Sequence, residues 1–489
     1  VGDPADPRDL RKEAPLLDGW LDFRALDKAP FSTPGHKQRQ DLVGPVVHDD
    51  YPLYGGVDTV RQQAGRLADA DRRLARLWGA EWGRISVGGS THGNQTLALA
   101  LCRPGDEVVV TRTLHRSLLI GLVLCGLRPV WVRPEVDRTT GLPTAVPVGR
   151  VERALAEHPA CRAVFLVEPS WVGTLSDLAG HAAAAHAHGI PLAVDQAWGA
   201  YFGFHPGVPR HALQAGADAL VTSAHKTLPA YTQSAFVLAR TARIDADRLD
   251  RAFEATATTS PSGTIAASAD AARALLERDG EPLLGRLLEI VDHARRRLRT
   301  VGGLVLLDDV VDRSVCLDRA KLAINVSGTG ATGLALEDDL VAAGTPIELA
   351  DRDTIVPIVS INDDLGTVDR LVDALVASIE RHRGAPRKVL PSISWTVEPQ
   401  TVLTPRDAYF APHATVRAEE AIGRVSAELV APYPPGIPVL APGERITRDA
   451  IEGLQQALAD GTQVRYAADL TLRTFQVVAA DAAADGDGL

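Results

Sequence analysis

The chain contains no methionine and only six lysines among its 51 basic residues, so arginine carries nearly all of its positive charge. The missing methionine extends to position 1, which suggests an alternative start codon or a trimmed chain. Cysteine is scarce: Cys102, Cys125, Cys161 and Cys316 are scattered, with no CxxC and no paired spacing. That excludes a disulfide framework and a thiolate zinc site, and reads as small buried residues in a reducing cytoplasm. The 14 histidines include no HExxH-type pair, so no metal site is expected. No apolar run reaches transmembrane length, and Val1-Gly-Asp-Pro-Ala-Asp-Pro lacks a charged-then-apolar signal. An excess of basic charge is absent as well: the net charge of −11 argues against nucleic acid or an anionic membrane as partner. There is no internal repeat.

What is present is a long chain, 489 residues with 45% hydrophobic content, enough for a large core and more than one domain. Short apolar runs at Glu107–Thr111, Pro129–Val132, Ala163–Val167, Pro191–Val194, Ala219–Thr222 and Ala235–Leu238 alternate with helical stretches such as Val151–Glu157 and Leu178–His188. Such alternation predicts an α/β fold with a mostly parallel sheet, whose ligands bind at the carboxyl ends of the strands. The expected division is an N-terminal segment (1–65), a large domain (66–267), a smaller α/β domain (268–382) with strands at Lys321–Ser327 and Thr354–Ile361, a linker (383–391), a C-terminal domain (392–479) and an acidic disordered tail (480–489).

Three segments carry chemistry. In Asp218-Ala-Leu-Val-Thr-Ser-Ala-His-Lys226, an apolar strand delivers His225 and Lys226 to its end. Taken alone, a lysine snorkelling from a strand end is the simpler reading. Lysine, unlike arginine, can also lose its proton and form a Schiff base with an aldehyde, and pyridoxal phosphate (PLP) is the usual aldehyde held that way. Gly189-Ile-Pro-Leu-Ala-Val-Asp195 ends a second strand in a carboxylate, which would keep the PLP pyridine nitrogen protonated, although strand-end carboxylates also bind metals or ribose. Gly88-Gly89-Ser90-Thr91-His92-Gly93-Asn94 opens a helix. Its glycines, backbone N–H groups and the Ser90 and Thr91 hydroxyls suit a phosphate. It fits neither the Walker pattern nor the dinucleotide fingerprint. Phosphate loop, ring-nitrogen carboxylate and Schiff-base lysine, in that order, are the arrangement of fold-type-I PLP enzymes. His115 falls where such enzymes stack an aromatic ring on the cofactor.

On these residues the chain resembles the Orn/Lys/Arg decarboxylase family, fold-type-I decarboxylases of basic amino acids, and especially its shorter bacterial members. Thr33-Pro-Gly-His36-Lys37 matches the family's TPGHK, and Gly89-Ser-Thr-His-Gly-Asn94 its phosphate loop. Ser223-Ala-His-Lys-Thr-Leu228 with Thr232-Gln233 is similar to its lysine signature, and Thr258-Thr-Ser-Pro-Ser262 to its TTSPS. Leu403-Thr-Pro-Arg-Asp-Ala-Tyr-Phe410, Ala421-Ile-Gly-Arg-Val-Ser-Ala-Glu428, Pro432-Tyr-Pro-Pro-Gly-Ile-Pro-Val-Leu440 and Pro442-Gly-Glu444 resemble its C-terminal domain, which generic aminotransferases lack. The resemblance implies a cytoplasmic homodimer or higher homo-oligomer with shared active sites, serving polyamine biosynthesis. Gly89, Ser90, Thr91, His115, Asp195, Ala197, Trp198, Ser223, His225 and Lys226 would hold the cofactor. Ser260 and Ser262 would reach the phosphate of the neighbouring subunit.

The chain departs from the family at Asp195-Gln-Ala-Trp-Gly-Ala-Tyr201, where shorter members read DEAHGAH. Trp198 resembles the tryptophan of the larger inducible members, whose indole N–H would meet the cofactor's phenolic oxygen. His48-Asp-Asp-Tyr-Pro52 and Glu168-Pro-Ser-Trp-Val-Gly173 also depart, near the expected substrate cleft. The implied reaction is decarboxylation of arginine, lysine or ornithine. Lys226, Asp195 and His225 are catalytic in this reading, and His36, Asp50 or Glu428 receive the substrate. Another PLP reaction, amino transfer or oxidation, is the alternative, because fold does not fix reaction. A non-catalytic protein retaining the fold is the third reading.

Overall fold

The computed structural model describes residues 10–26, 28, 31–41, 43–53, 65–312, 314–389, 392–433 and 436–479. The expected tail, Leu390 and Pro391 of the linker, and Pro434 and Pro435 of the proline-rich run lie outside the described residues. Two compact units emerge: Val1–Ala100 with Val194–Arg286, and Leu101–Ala193 with Leu287–Leu489.

In the first unit, strands Trp82–Ser86, Ala235–Ala239 and Ala219–Thr222 lie side by side in that order, followed by Leu192–Asp195, whose last two residues belong here. Ala235–Ala239 runs antiparallel to both neighbours, so the sheet is mixed on this side. Every residue of Ala219–Thr222 and Ala235–Ala239 is buried, which is why these strands read as continuous apolar runs without alternation. The helix Gly89–Leu101 lies directly on them. A Cβ at Gly93 would come within 2.6 Å of Val221 Cγ1 and 2.9 Å of Val237 Cγ2, so glycine lets the first turns of this helix drop onto the sheet. The N-terminal helix Pro15–Ala25 is tied to the 36-residue helix Gly263–Leu298 by Asp270, which accepts the Leu16 N–H at 2.9 Å. Asp270 is also neutralised by Arg273, and neither side chain is exposed. The expected start of the small domain, Ser268, falls inside that long helix.

In the second unit, Glu107–Thr111 pairs in parallel with Arg128–Val132 and with Ala163–Val167, and Leu192–Asp195 neighbours the last. The crossover helix Arg116–Cys125 is capped at its start by the His115 side chain and ended by Gly126 at φ 70°, a left-handed stop that glycine adopts without strain. A four-stranded antiparallel sheet follows, in the order Leu349–Ala350, Thr354–Val356, Ile324–Asn325, Val305–Leu306. Its strands are shorter than the sequence suggests. Pro357 has no N–H to extend Thr354–Val356, and the Asn325 side chain accepts from Ser327 and starts a turn. The described part of the expected linker is docked, with the Gly384 N–H on Thr329 O and Arg387 paired with Asp353. Toward the C-terminus, His413–Arg417 pairs with Thr474–Val478 and Ala431–Tyr433 with Gln463–Arg465. The helix Arg448–Ala459 covers them over a core that includes Ile446, Leu454, Phe475 and Val477.

Candidate active site

The first unit gathers most of the expected residues at the carboxyl ends of two neighbouring strands. Leu192–Asp195 ends in the buried Asp195, whose two oxygens are both engaged. Oδ2 accepts from Asn94 Nδ2 at 2.7 Å and Oδ1 from the Ala197 N–H at 3.1 Å. Ala219–Thr222 leads through Ser223 into the short helix Ala224–Thr227, which carries His225 and Lys226. Ser223 Oγ meets Ser90 Oγ at 2.7 Å, so the lysine segment and the glycine turn share a hydrogen bond. Gly89, at φ 70°, donates its N–H to Gln233 O at 2.7 Å, and this bond sets the turn that starts the helix. Thr91 is exposed at that start. His225 Nδ1 lies 2.8 Å from Ser234 O. A carbonyl only accepts, so Nδ1 carries the proton and Nε2 is the acceptor in the neutral ring. Lys226 Nζ sits 3.7 Å from the centroid of the Trp198 ring.

Other expected residues lie elsewhere. His36 Nε2 pairs with Asp50 Oδ2 at 3.1 Å, so these two are partners of each other. Ser262 bridges to Pro52 at the start of the long helix, and Ser260 is exposed beside it. His115 belongs to the second unit, with Nδ1 accepting the Ser117 N–H at 3.2 Å and its ring exposed. Glu428, also in the second unit, gives both oxygens to backbone N–H groups, Oε2 to Ala468 and Oε1 to Gln476, each at 2.7 Å. It lines a cavity of about 340 Å³ with Arg116, Tyr409 and Tyr466, and burial pushes its carboxyl up.

Sequence reasoning missed three roles. Asn94 was visible only as the last residue of the glycine motif, yet it orients Asp195. Gln196, a departure from the family pattern, is a brace: Nε2 donates to Gly199 O at 2.8 Å and Oε1 accepts from the Ala212 N–H at 2.7 Å. A carboxylate there could not make the first bond. Arg112, three residues before His115, is buried in a paired contact with Glu444, donates to Val439 O at 3.0 Å, and lies over the Trp131 ring at 4.7 Å. The Pro442-Gly-Glu444 motif signalled the glutamate, while nothing marked the arginine.

Glu168 is a structural group. It accepts from the Ser176 N–H at 3.1 Å and contacts the Ser176 hydroxyl. Burial outweighs these donors and pushes its carboxyl up to about 8. A carboxyl raised above its unfolded value stabilises the fold fully below its ordinary value of 4.5, and that contribution is lost as pH rises through about 8. The loss is roughly 3–5 kcal/mol. Glu168→Gln, isosteric with the neutral acid, is expected to shrink the fall in melting temperature between acidic and alkaline buffer. Asp71, raised by burial to about 7, and Asp351, to about 6, keep a residual slope.

The donor set fits pyridoxal phosphate. The cofactor needs an amine, a carboxylate for its ring nitrogen, and N–H and O–H donors for its phosphate. Lys226, Asp195 and the Gly89-Ser90-Thr91 turn with Ser223 are such groups. Thr227 Oγ1, beside Lys226, is buried with no hydrogen-bond partner among the described residues.

Comparison with known proteins gives the same picture. The pattern described as Orn/Lys/Arg decarboxylase, major domain, matches residues 14–319, and that of the Orn/Lys/Arg decarboxylase C-terminal domain matches residues 391–462. An arginine decarboxylase of Bacillus subtilis (strain 168) is 31% identical over 95% of this chain and 98% of its own length. The crystal structure of the Francisella novicida lysine decarboxylase LdcF superposes with a TM-score of 0.82 at 18% identity, over 95% of this chain and 81% of that one. A Sphingomonas wittichii serine palmitoyltransferase matches with a TM-score of 0.52 at 16% identity, over 64% of this chain and 76% of that one. The architecture is therefore that of the fold-type-I PLP enzymes, and the two domain patterns reach a common conclusion: the chain belongs to the Orn/Lys/Arg decarboxylase family.

Proposed function

We propose that this protein decarboxylates arginine to the corresponding amine and CO2, with PLP held by Lys226. The observation that carries the reading is the cluster at the two strand ends, Asn94–Asp195–Ala197 beside Ser90–Ser223 and Lys226–Trp198. Arginine is preferred over lysine and ornithine because the relative that aligns nearly end to end at 31% identity is named an arginine decarboxylase, whereas the lysine decarboxylase fold match shares 18%.

Bound PLP supplies an electron sink for the pair left behind by departing CO2. The chain's residues do the rest. Asp195, fixed by two donors, holds a proton on the ring nitrogen by opposite charge. The helix start at Ser90 and Thr91, with Ser223, would take the phosphate, and His115 would cover a ring face as the family resemblance implies. Lys226, or His225 once its Nε2 has also taken up a proton, returns a proton to the substrate's α-carbon. His36, Asp50 and Glu428 remain candidates for the substrate's far end, with Glu428 the weakest because backbone amides already occupy it.

The assembly reading is a homodimer, or a higher oligomer built from it, in which Ser260 and Ser262 of one copy serve the phosphate site of the other. The exposure of Ser260 and of Phe31, 98% exposed, supports a further covering surface. In this reading the chain divides at the bounds expected from its sequence up to residue 479. Polyamine biosynthesis is the role in which an arginine-derived amine fits. A reducing cytoplasm accords with four cysteines that form no disulfide among the described residues, where no helix is long and apolar enough to cross a membrane.

Mass spectrometry of the PLP-loaded protein incubated separately with arginine, lysine and ornithine tests the reading. A product lighter by one CO2 from arginine is expected. The same product from lysine or ornithine alone overturns the substrate, and a keto acid or oxygenated product overturns the reaction.

A further inference from the structure

We propose that the face of the Trp198 ring is the seat of the Lys226 ammonium whenever this lysine is not bonded to the cofactor, which makes Trp198 a positioning residue acting through Lys226. The inference rests on the PLP reading and deepens it. A lysine that holds the cofactor between turnovers must let go when substrate binds and return when product leaves. In the interval it carries a flexible four-carbon stem and a cation.

The structure puts that cation on an aromatic face. The distance from Lys226 Nζ to the Trp198 centroid, 3.7 Å, is shorter than that of the other cation–ring pairs among the described residues, which run from 4.7 Å for Arg112 over Trp131 to 5.5 Å for Arg406 over Phe410. Attraction of this kind acts within about 6 Å of a ring centroid and is strongest for tryptophan. It is also stronger where water is partly excluded, and both side chains are half-buried.

The loop that carries the ring is anchored on both sides of Trp198. Asp195 accepts the Ala197 N–H, and Gln196 clamps Gly199 O and the Ala212 N–H. Trp198 lies between these anchors. On the other side, the Lys226 N–H is bonded to Ser223 O at 3.4 Å in the short helix Ala224–Thr227. Both backbones are thus fixed, and the lysine stem is the part left to move. An indole N–H that meets the cofactor's phenolic oxygen would use the ring edge. The seat uses the face, so one side chain can serve both states.

The scarcity of lysine makes the seat measurable. Reductive carbon-13 methylation of the full-length, cofactor-free chain labels six lysines and the α-amine. One dimethyl signal is expected upfield of the rest, shifted by the Trp198 ring current, and it should vanish in Lys226→Arg. Trp198→Phe, which loses the N–H and keeps a face, should retain a displaced signal. Trp198→Leu, which loses both, should return it among the others. A Lys226 signal that is undisplaced in the parent protein, or unmoved by Trp198→Leu, overturns the seat. The comparison with Lys226→Arg stands even if the leucine variant fails to fold. Labelling after PLP loading should leave the displaced signal absent, because the amine is then occupied. Its persistence would overturn Lys226 as the cofactor's lysine, a failure distinct from that of the seat.

Discussion

Lys226→Ala is expected to leave a folded protein with turnover reduced on the order of 10⁴-fold or more, the scale seen when a covalent catalytic group is removed. The side chain is half-buried at the end of a strand and makes no core. Alanine suits the short helix Ala224–Thr227 at least as well, so the melting temperature should change little. The absorbance of the lysine–cofactor linkage should disappear at any PLP concentration. Lys226→Arg should be equally inactive, because a guanidinium that stays protonated cannot condense with an aldehyde. Absorbance spectra and CO2 release on PLP-saturated protein check both variants. Turnover within tenfold of the parent protein would remove Lys226 from the chemistry.

Asp195→Asn should be the next most damaging change, lowering kcat on the order of 10²- to 10⁴-fold, the rate equivalent of the about 3–5 kcal/mol lost when one partner of a buried charge pair is removed. Two effects combine. The charge that keeps a proton on the ring nitrogen is lost. The new amide also meets two donors, Asn94 Nδ2 at Oδ2 and the Ala197 N–H at Oδ1, so one of its positions is donor against donor. Lys226 is untouched, so the linkage absorbance should persist while turnover falls. Steady-state rates at saturating PLP, read beside the spectrum, separate the two variants: Lys226→Ala loses both signals and Asp195→Asn only one.

Much of this was legible in the sequence, for physical reasons. Strands buried on both faces print continuous apolar runs, so Glu107–Thr111, Ala163–Val167 and Ala219–Thr222 are found where they are expected. Lys226 was conspicuous because the chain has so few lysines. The antiparallel course of Ala235–Ala239 was not legible, since direction is set by connection and not by composition. The 36-residue helix through Ser268 was obscured by Pro282, a residue that reads as a break. Residues that act by bonding to backbone or to another side chain were hidden as well. Gln196 and Asn94 look like ordinary polar residues until the chain brings Ala212 and Asp195 to them. Glu428 is the reverse case: an acidic residue in a family motif looked available for a substrate, and folding also gave its two oxygens backbone amides.

The buried contact between Arg112 and Glu444 has a bearing on heredity. The two residues stand 332 positions apart, each is 2% exposed, and the arginine lies just before the turn that presents His115. A gene spliced to a foreign C-terminal region that covers Arg112 without an acid would strand a guanidinium in the interior at about 3–5 kcal/mol, a large part of the 5–15 kcal/mol that typically keeps a protein folded. The two domain patterns must therefore travel together through recombination, and a chain with the first pattern but no acidic residue in place of Glu444 should carry a neutral one in place of Arg112.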